Sequence, residues 1–338
     1  MIGRSLVVIP ALRMTLTITV LAAALLGLLA AMTAIGVARI SRLYPPAGLM
    51  VSVEGGRLHV IDLRPPVASD VDPPVVLLHG ASGNLEDMRL ALGEKIAASR
   101  RVILIDRPGH GWSERPGGDA DASPARQAAL VAEVLERLGA RRAVIVGHSW
   151  SGALATAYAL AYPERTAGLV LISPVTHPWP GGIAWYYDLA SMPVIGPLFA
   201  HTLVLPLGLA LLDGASKSVF APQPRPDGYL DRAAISLVLR PQQFLANARD
   251  VAMLKAFVSA QASRYRELRM PTVIIAGDRD RTVSTEIHSR ALAAAAPNAR
   301  LIVLAGMGHM PHHAASAVVI EAIDQLATSA AVAAEAAQ

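Results

Sequence analysis

Val144-Ile145-Val146-Gly147-His148-Ser149-Trp150-Ser151-Gly152 is the stretch of this chain with the clearest chemical potential. An apolar run suited to a buried strand ends in small and polar residues. An Ala-rich segment of helical character begins at about Trp150. A serine at such a strand-to-helix junction sits on a sharp turn that lifts its hydroxyl out of the sheet, a nucleophile elbow. The turn strains the backbone and leaves no room for bulk two residues to either side. Gly147 and Ser151 meet that demand. The usual pattern is G-x-S-x-G, so Ser151 with Gly152 behind it is a mild departure.

A serine hydroxyl is a poor nucleophile at neutral pH; it needs a base, and the base needs an orienting acid. Two later segments supply them. Gly277-Asp278-Arg279-Asp280 follows one strand-like run and Gly306-Met307-Gly308-His309 follows another. Loops just past the carboxyl ends of strands gather around the site of an open parallel sheet. His309, between Gly308 and the apolar Met310-Pro311, is the expected general base. The acid is Asp278 or Asp280. The Gly-x-x-Asp spacing favours Asp280, which leaves Asp278 as a turn residue capping backbone N–H groups. Acyl transfer also needs two preorganised donors for the developing oxyanion. The expected pair is the backbone N–H of Trp150, at a helix start, and that of Ala81, in the loop after the third strand.

Other candidates read as structure. His148 adjoins the serine, but its side chain is expected to point away and stay buried. Asp106 ends a strand yet precedes the serine, and is expected to anchor a loop near Arg107. His312 and His313 suggest a metal with His309, but no carboxylate cluster joins them in the sequence. No metal and no organic cofactor are expected.

The elements that must position these residues alternate. Residues 50–54 and 57–63 read as a β-hairpin around Gly55-Gly56, and 65–74 as a loop. Strands are expected at 75–78, 101–106, 144–146, 169–173, 272–276 and 301–304. Helices are expected at 85–98, 123–138, from about 150 to 162, at 285–296 and at 314–327. Such alternation specifies a parallel sheet covered on both faces. Residues 175–268 break the rhythm: Pro and Gly are frequent, Trp179, Trp185, Tyr186 and Tyr187 cluster, and no buried strand is evident. They read as an inserted, mostly helical cap.

The chain of 338 residues carries no cysteine, which removes disulfides and thiolate metal sites. Its net charge of +4 is spread over scattered arginines without interleaved aromatics, so no nucleic-acid partner is expected. Residues 14–38 carry no charge, a run long enough to cross a hydrocarbon core of roughly 30 Å. Ala22-Ala23-Ala24 offers a signal-peptidase-like triplet, but apolar sequence continues for fourteen residues beyond it, which favours an uncleaved anchor. Arg4 and Arg13 on one flank balance Arg39 and Arg42 on the other, giving no orientation.

His79-Gly80, the run Asp106 to Ser113, Gly147 to Gly152, Gly277 to Asp280 and Gly308-His309 together resemble the α/β-hydrolase superfamily, in its capped, single-domain branch, over residues 48–327. The resemblance implies an α/β fold with a mostly parallel sheet of about eight strands and helices on both faces. The expected divisions are an N-terminal tail and transmembrane helix (1–43), a core in two parts (48–174 and 269–327), the cap between them (175–268) and a flexible tail (328–338). It also implies a serine hydrolase with Ser149, Asp280 and His309 as its triad. The expected activity is carboxylic ester hydrolysis on an apolar or acyl-chain substrate. The alternatives are a C–C bond or amide hydrolase with the same triad, and a membrane-tethered binding module on an inactive fold. Aspartate-nucleophile dehalogenases and epoxide hydrolases are disfavoured by Ser149. C–C hydrolases often carry Gly-Pro-Gly after the oxyanion His-Gly, where this chain has Ala81-Ser82-Gly83.

Overall fold

The computed structural model describes residues 5–65 and 73–336. Most of the loop expected at 65–74 and the last two residues of the tail lie outside that range, as does Arg4. Eight strands form one sheet in the order β1-β2-β4-β3-β5-β6-β7-β8. They are β1 (Leu49–Val53), β2 (Gly56–Leu63), β3 (Val75–Leu78), β4 (Val102–Ile105), β5 (Ala143–His148), β6 (Thr166–Ile172), β7 (Thr272–Gly277) and β8 (Ala299–Leu304). The hairpin turns on Glu54-Gly55, with Gly55 at φ +81°, and β2 runs antiparallel to both its neighbours. All other pairings are parallel.

The central strands are continuous apolar runs because both faces are covered. Val76 and Leu78 face one core layer and Val75 and Leu77 the other. The first layer holds the helices Pro124–Arg137 and Ser151–Ala161; the second holds the closing helix Ser316–Glu335. That closing helix continues through the Ala-rich stretch expected to fray, because Ala327 and Ala330 are buried against the sheet layer. The helix expected at 85–98 is broken by a wide turn at Arg89–Gly93.

Between β6 and β7 the described residues form helices and turns, with no strand. The two longest helices are Leu205–Phe220 and Pro241–Gln261. Ahead of the sheet, the apolar run lies within one helix, Ser5–Leu43, whose stretch Leu12–Leu43 contains an 18-residue window with a mean hydropathy of 2.4. Its buried residues Thr33 and Ile40 meet the insertion: the Thr33 hydroxyl donates to the Thr202 carbonyl, and Ile40 packs with Ala200, Val204 and Leu205.

Candidate active site

Ser149 occupies the turn between β5 and the helix Ser151–Ala161 at φ +53°, a left-handed conformation unusual for a residue with a side chain. Three backbone bonds hold it there. Its N–H donates to the Ile172 carbonyl at 2.9 Å, and its own carbonyl accepts from Gly152 and Val175, each at 2.9 Å. Strain of this kind costs about 1–3 kcal/mol and persists where the surroundings over-determine it. A Cβ on Gly147 would fall 2.4 Å from the Ser151 carbonyl oxygen, so glycine is required there. Ser151 is fully buried and its hydroxyl donates to the His79 carbonyl at 2.5 Å. The departure from the family's second glycine therefore has a structural use.

The fold brings together the three side chains expected to form a triad, although 131 residues separate Ser149 from Asp280. His309 Nε2 lies 3.0 Å from Ser149 Oγ, and its Nδ1 lies 2.7 Å from Asp280 Oδ2. The other Asp280 oxygen accepts the Thr282 and Val283 N–H groups at 2.8 and 2.9 Å, which fixes the carboxylate. With Nδ1–H donating to Asp280, Nε2 is free to accept the serine proton. Asp278 points elsewhere: its Oδ1 accepts the Gly306 N–H at 2.7 Å and ties the acid and histidine loops together.

Ala81 and Trp150 line the same cavity as Ser149, and among the described residues neither backbone N–H meets an acceptor within the chain. The loop carrying Ala81 is held from both sides. The His79 ring contacts the Gly80 carbonyl at 2.8 Å through Nδ1 and accepts the Arg107 N–H at 3.0 Å through Nε2. Burial, with the Arg107 guanidinium nearby, pushes its pKa down to about 4, so the ring is neutral. On the other side the Ser82 N–H donates to Asn247 Oδ1 at 2.7 Å, with Ser82 itself at φ +55°. Asn247 lies on the insertion helix Pro241–Gln261 and also meets Ser82 Oγ and Tyr187. Neither Ser82 nor Asn247 carries a sequence signal, since their contact spans 165 positions.

The Asp106–Ser113 run anchors this floor. Asp106 accepts the Leu85 and Trp112 N–H groups at 2.8 and 2.9 Å and pairs with His59 at 2.7 Å. Arg107 is wholly buried, paired with Asp250 at 2.6 Å and stacked 4.0 Å over the Trp150 ring. Trp150 Nε1 in turn donates to the Asp250 carbonyl at 3.0 Å.

His148 is buried, as its sequence context suggests, and it packs against His309 and His312. Its Nε2 meets the His309 carbonyl at 3.2 Å, and its ring is 5.0 Å from that of His309 and 4.2 Å from that of His312. The expectation that no carboxylate joins His312 and His313 is corrected by Asp87, which arrives from a distant turn. Asp87 Oδ1 meets His313 Nε2 and the Tyr229 hydroxyl, both at 2.8 Å, and Oδ2 meets His312 Nε2 at 3.2 Å. Burial pushes Asp87 up, but the two imidazoles outweigh it and hold the carboxylate well below its ordinary range. Burial pushes His312 down to about 4 despite Asp87. Among the described residues this is the grouping suited to a metal ion, and its hydrogen bonds alone account for its geometry.

Above Ser149 lies a cavity of about 760 Å³, within the usual range for small-molecule sites. Its walls are largely apolar, with Leu212, Val219, Leu254 and Ile287 among them, and Trp179 and Tyr186 also line it.

The family model of the alpha/beta hydrolase fold matches residues 73–315, and the chain belongs to that family. It is 33% identical over 253 residues to the 2-hydroxymuconate semialdehyde hydrolase of Pseudomonas putida, covering 70% of this chain and 80% of the relative. Among solved structures it is similar to Est816, described as an N-acyl homoserine lactone degrading enzyme, with a TM-score of 0.60 and 25% identity over 82% of this chain and 99% of the other. The enol-lactonase of Burkholderia xenovorans LB400 shares its fold, with a TM-score of 0.65 and 19% identity over 83% of this chain and all of the other.

Proposed function

We propose that the chain is a serine hydrolase of carboxylic esters whose substrates are apolar or carry an acyl chain. One observation carries this reading: the Ser149–His309–Asp280 relay, with contacts of 3.0 and 2.7 Å, opens onto a largely apolar cavity. Ser149 Oγ attacks the ester carbonyl while His309 Nε2 takes its proton. Asp280 fixes the imidazole tautomer and stabilises the imidazolium. The N–H groups of Ala81 and Trp150 receive the oxyanion; losing one such donor costs about 2.7–4 kcal/mol of transition-state stabilisation. The alcohol leaves with the proton from His309. Water, deprotonated by the same ring, then releases the acid from Ser149. Residues 175–268 act as a cap that shapes the acyl side of the cavity, and residues 14–38 anchor the enzyme in a membrane.

C–C bond hydrolysis is a second reading, favoured by the 33% identity to a relative named for 2-hydroxymuconate semialdehyde. A substrate of that kind is anionic. Among the described residues lining the cavity the one Arg or Lys is Arg281, which is exposed, so the walls suit a neutral ester better.

The test is turnover of aryl esters of graded acyl length by the full chain in detergent, beside Ser149→Ala and a dienoic ketoacid. Ester turnover by the parent and none by the variant supports the reading. Turnover of the ketoacid alone transfers it to C–C hydrolysis. Failure of a fluorophosphonate to label Ser149 sinks both readings.

A further inference from the structure

The insertion presents an unusually apolar outer surface. Residues 189–212 contain no Asp, Glu, Lys or Arg across 24 positions. Yet much of the segment is open: Val194 is 79% exposed and Leu211 66%, with Ile195, Leu198, Leu207 and Leu209 each about half exposed. Leu203, Leu207 and Leu211 recur at four-residue spacing and form one stripe along the insertion. Apolar surface concentrated in this way marks an interaction site.

Two relationships identify what covers it. The first is depth. Thr33, Gly36 and Ile40 lie on one face of the N-terminal helix and pack against Thr202, Leu205 and their neighbours. Thr33 stands five residues before the end of the uncharged run, or about 8 Å along the helix axis. If residues 14–38 span a bilayer, whatever packs on Thr33 sits at the boundary between headgroups and acyl chains. Amphipathic surfaces seat about 5–10 Å into that boundary. The second is the helix Leu205–Phe220, which has two working faces. Leu212, Ser216 and Val219 line the catalytic cavity, whereas Leu207 and Leu211 look outward.

We propose that the exposed face of residues 189–211 lies in the bilayer beside the anchor, so that the cavity takes esters with long acyl chains from the membrane rather than from water. The inference rests on the membrane-anchor reading above and deepens it. One helix then forms both the wall of the cavity and the contact with lipid. An acyl chain need only slide around that helix to reach Ser149, with its tail still in an apolar medium.

The absence of cysteine makes the test clean. Single cysteines at Val194, Leu207 and Leu211 would carry nitroxide labels on the full chain in phosphatidylcholine vesicles, with one at Leu26 reporting the anchor. Accessibility to oxygen against a water-soluble nickel chelate reads the environment of each. Lipid exposure at all four sites supports the proposal. A lipid-exposed label at 26 with water-exposed labels at 194, 207 and 211 overturns it and leaves the anchor standing. Water exposure at 26 overturns the anchor reading and this proposal together. Labels at the three insertion sites shielded from both reagents mean a protein neighbour and overturn it.

A second measurement reads function. The variant Leu207→Glu/Leu211→Glu should hydrolyse a soluble short-chain aryl ester at the parent rate. It should hydrolyse a long-chain ester dispersed in vesicles at least fivefold more slowly. Equal rates on the vesicle ester would overturn the proposal.

Discussion

Ser151 Oγ donates to the carbonyl oxygen of His79 across 2.5 Å and so joins the elbow helix to the loop that carries the Ala81 amide. The hydroxyl stands where the family pattern has a glycine hydrogen, and a larger side chain would meet the tightly packed turn. The two halves of the proposed oxyanion site are thus tied by a side chain the motif does not require.

Ser151→Ala removes that bond while keeping a small residue, and leaves the His79 carbonyl without this donor in a buried setting. We expect a loss of about 1–3 kcal/mol in stability, measured by urea unfolding. Ester turnover should fall more steeply than fluorophosphonate binding if the Ala81 loop also drifts. An unchanged unfolding midpoint would mean that the contact contributes nothing.

Asp280→Asn preserves the shape of the acid but favours the wrong imidazole tautomer, because the amide would offer its NH₂ toward Nδ1. The expected loss in kcat is about 10⁴-fold with little change in KM. The Thr282 and Val283 contacts to Oδ1 hold the side chain in place, so the unfolding midpoint should move little. Asp278→Asn should leave kcat within a few-fold of the parent.

Much of this site is legible from local sequence, and the reason is physical. The elbow, the acid loop and the histidine loop each follow a short apolar run, and parallel order alone carries their tips to one edge of the sheet. What is not legible depends on contacts between distant segments. Asp87 meets His312 and His313 across more than 220 positions, and nothing near Asp87 announces it. The stretch from Thr328 has no charge pattern to stabilise an isolated helix, yet it is helical because Ala330 and Ala331 find buried places. The contact of His148 with the His309 carbonyl spans 161 positions and is a tertiary feature of the same kind.

Buried imidazoles set an acid limit: burial pushes His110 and His148 well below the ordinary range and His288 to about 4. His79 and His312 are each pushed by burial to about 4, against about 6.5 in an unfolded chain. Between those values the unfolded chain binds more protons than the folded one. The stability is therefore fully present above pH 6.5 and is lost as pH falls toward 4. Each ring accounts for up to about 3 kcal/mol. Asp87, held well below its ordinary range, extends the loss further into acid. Urea midpoints measured from pH 7.5 to 4.5 should fall steadily, and His312→Asn should flatten the slope. A flat profile in the parent would contradict the neutral assignment.

Asp250 pairs with Arg107 and Arg115 where neither its carboxylate nor the Arg107 side chain is exposed. Removing one partner of a buried pair leaves an uncompensated charge and costs about 3–5 kcal/mol. Asp250→Ala should therefore show a large drop in unfolding free energy. Asp119, 70% exposed in its pair with Arg249, serves as the control. Asp119→Ala should change nothing measurable, because exposed pairs contribute little. Similar effects for the two variants would remove the argument that this cluster fastens the insertion to the core.

Asn247 is the residue through which the insertion reaches the chemistry. Its Oδ1 accepts the Ser82 N–H and its Nδ2 donates to Ser82 Oγ at 3.1 Å, one position beyond the Ala81 amide. Deleting an oxyanion donor costs about 10²–10³ in kcat, and misplacing one costs less. Asn247→Leu, close in size, should therefore lower kcat about tenfold with KM nearly unchanged, since the side chain positions the loop without touching the reacting atoms. Asn247→Asp keeps the acceptor for the Ser82 N–H while losing the donor, and should recover part of the rate. A purely packing role predicts the reverse order, because a buried carboxylate disturbs the core more than leucine does. The ranking of the two variants in kcat, measured beside their unfolding midpoints, decides between positioning and packing.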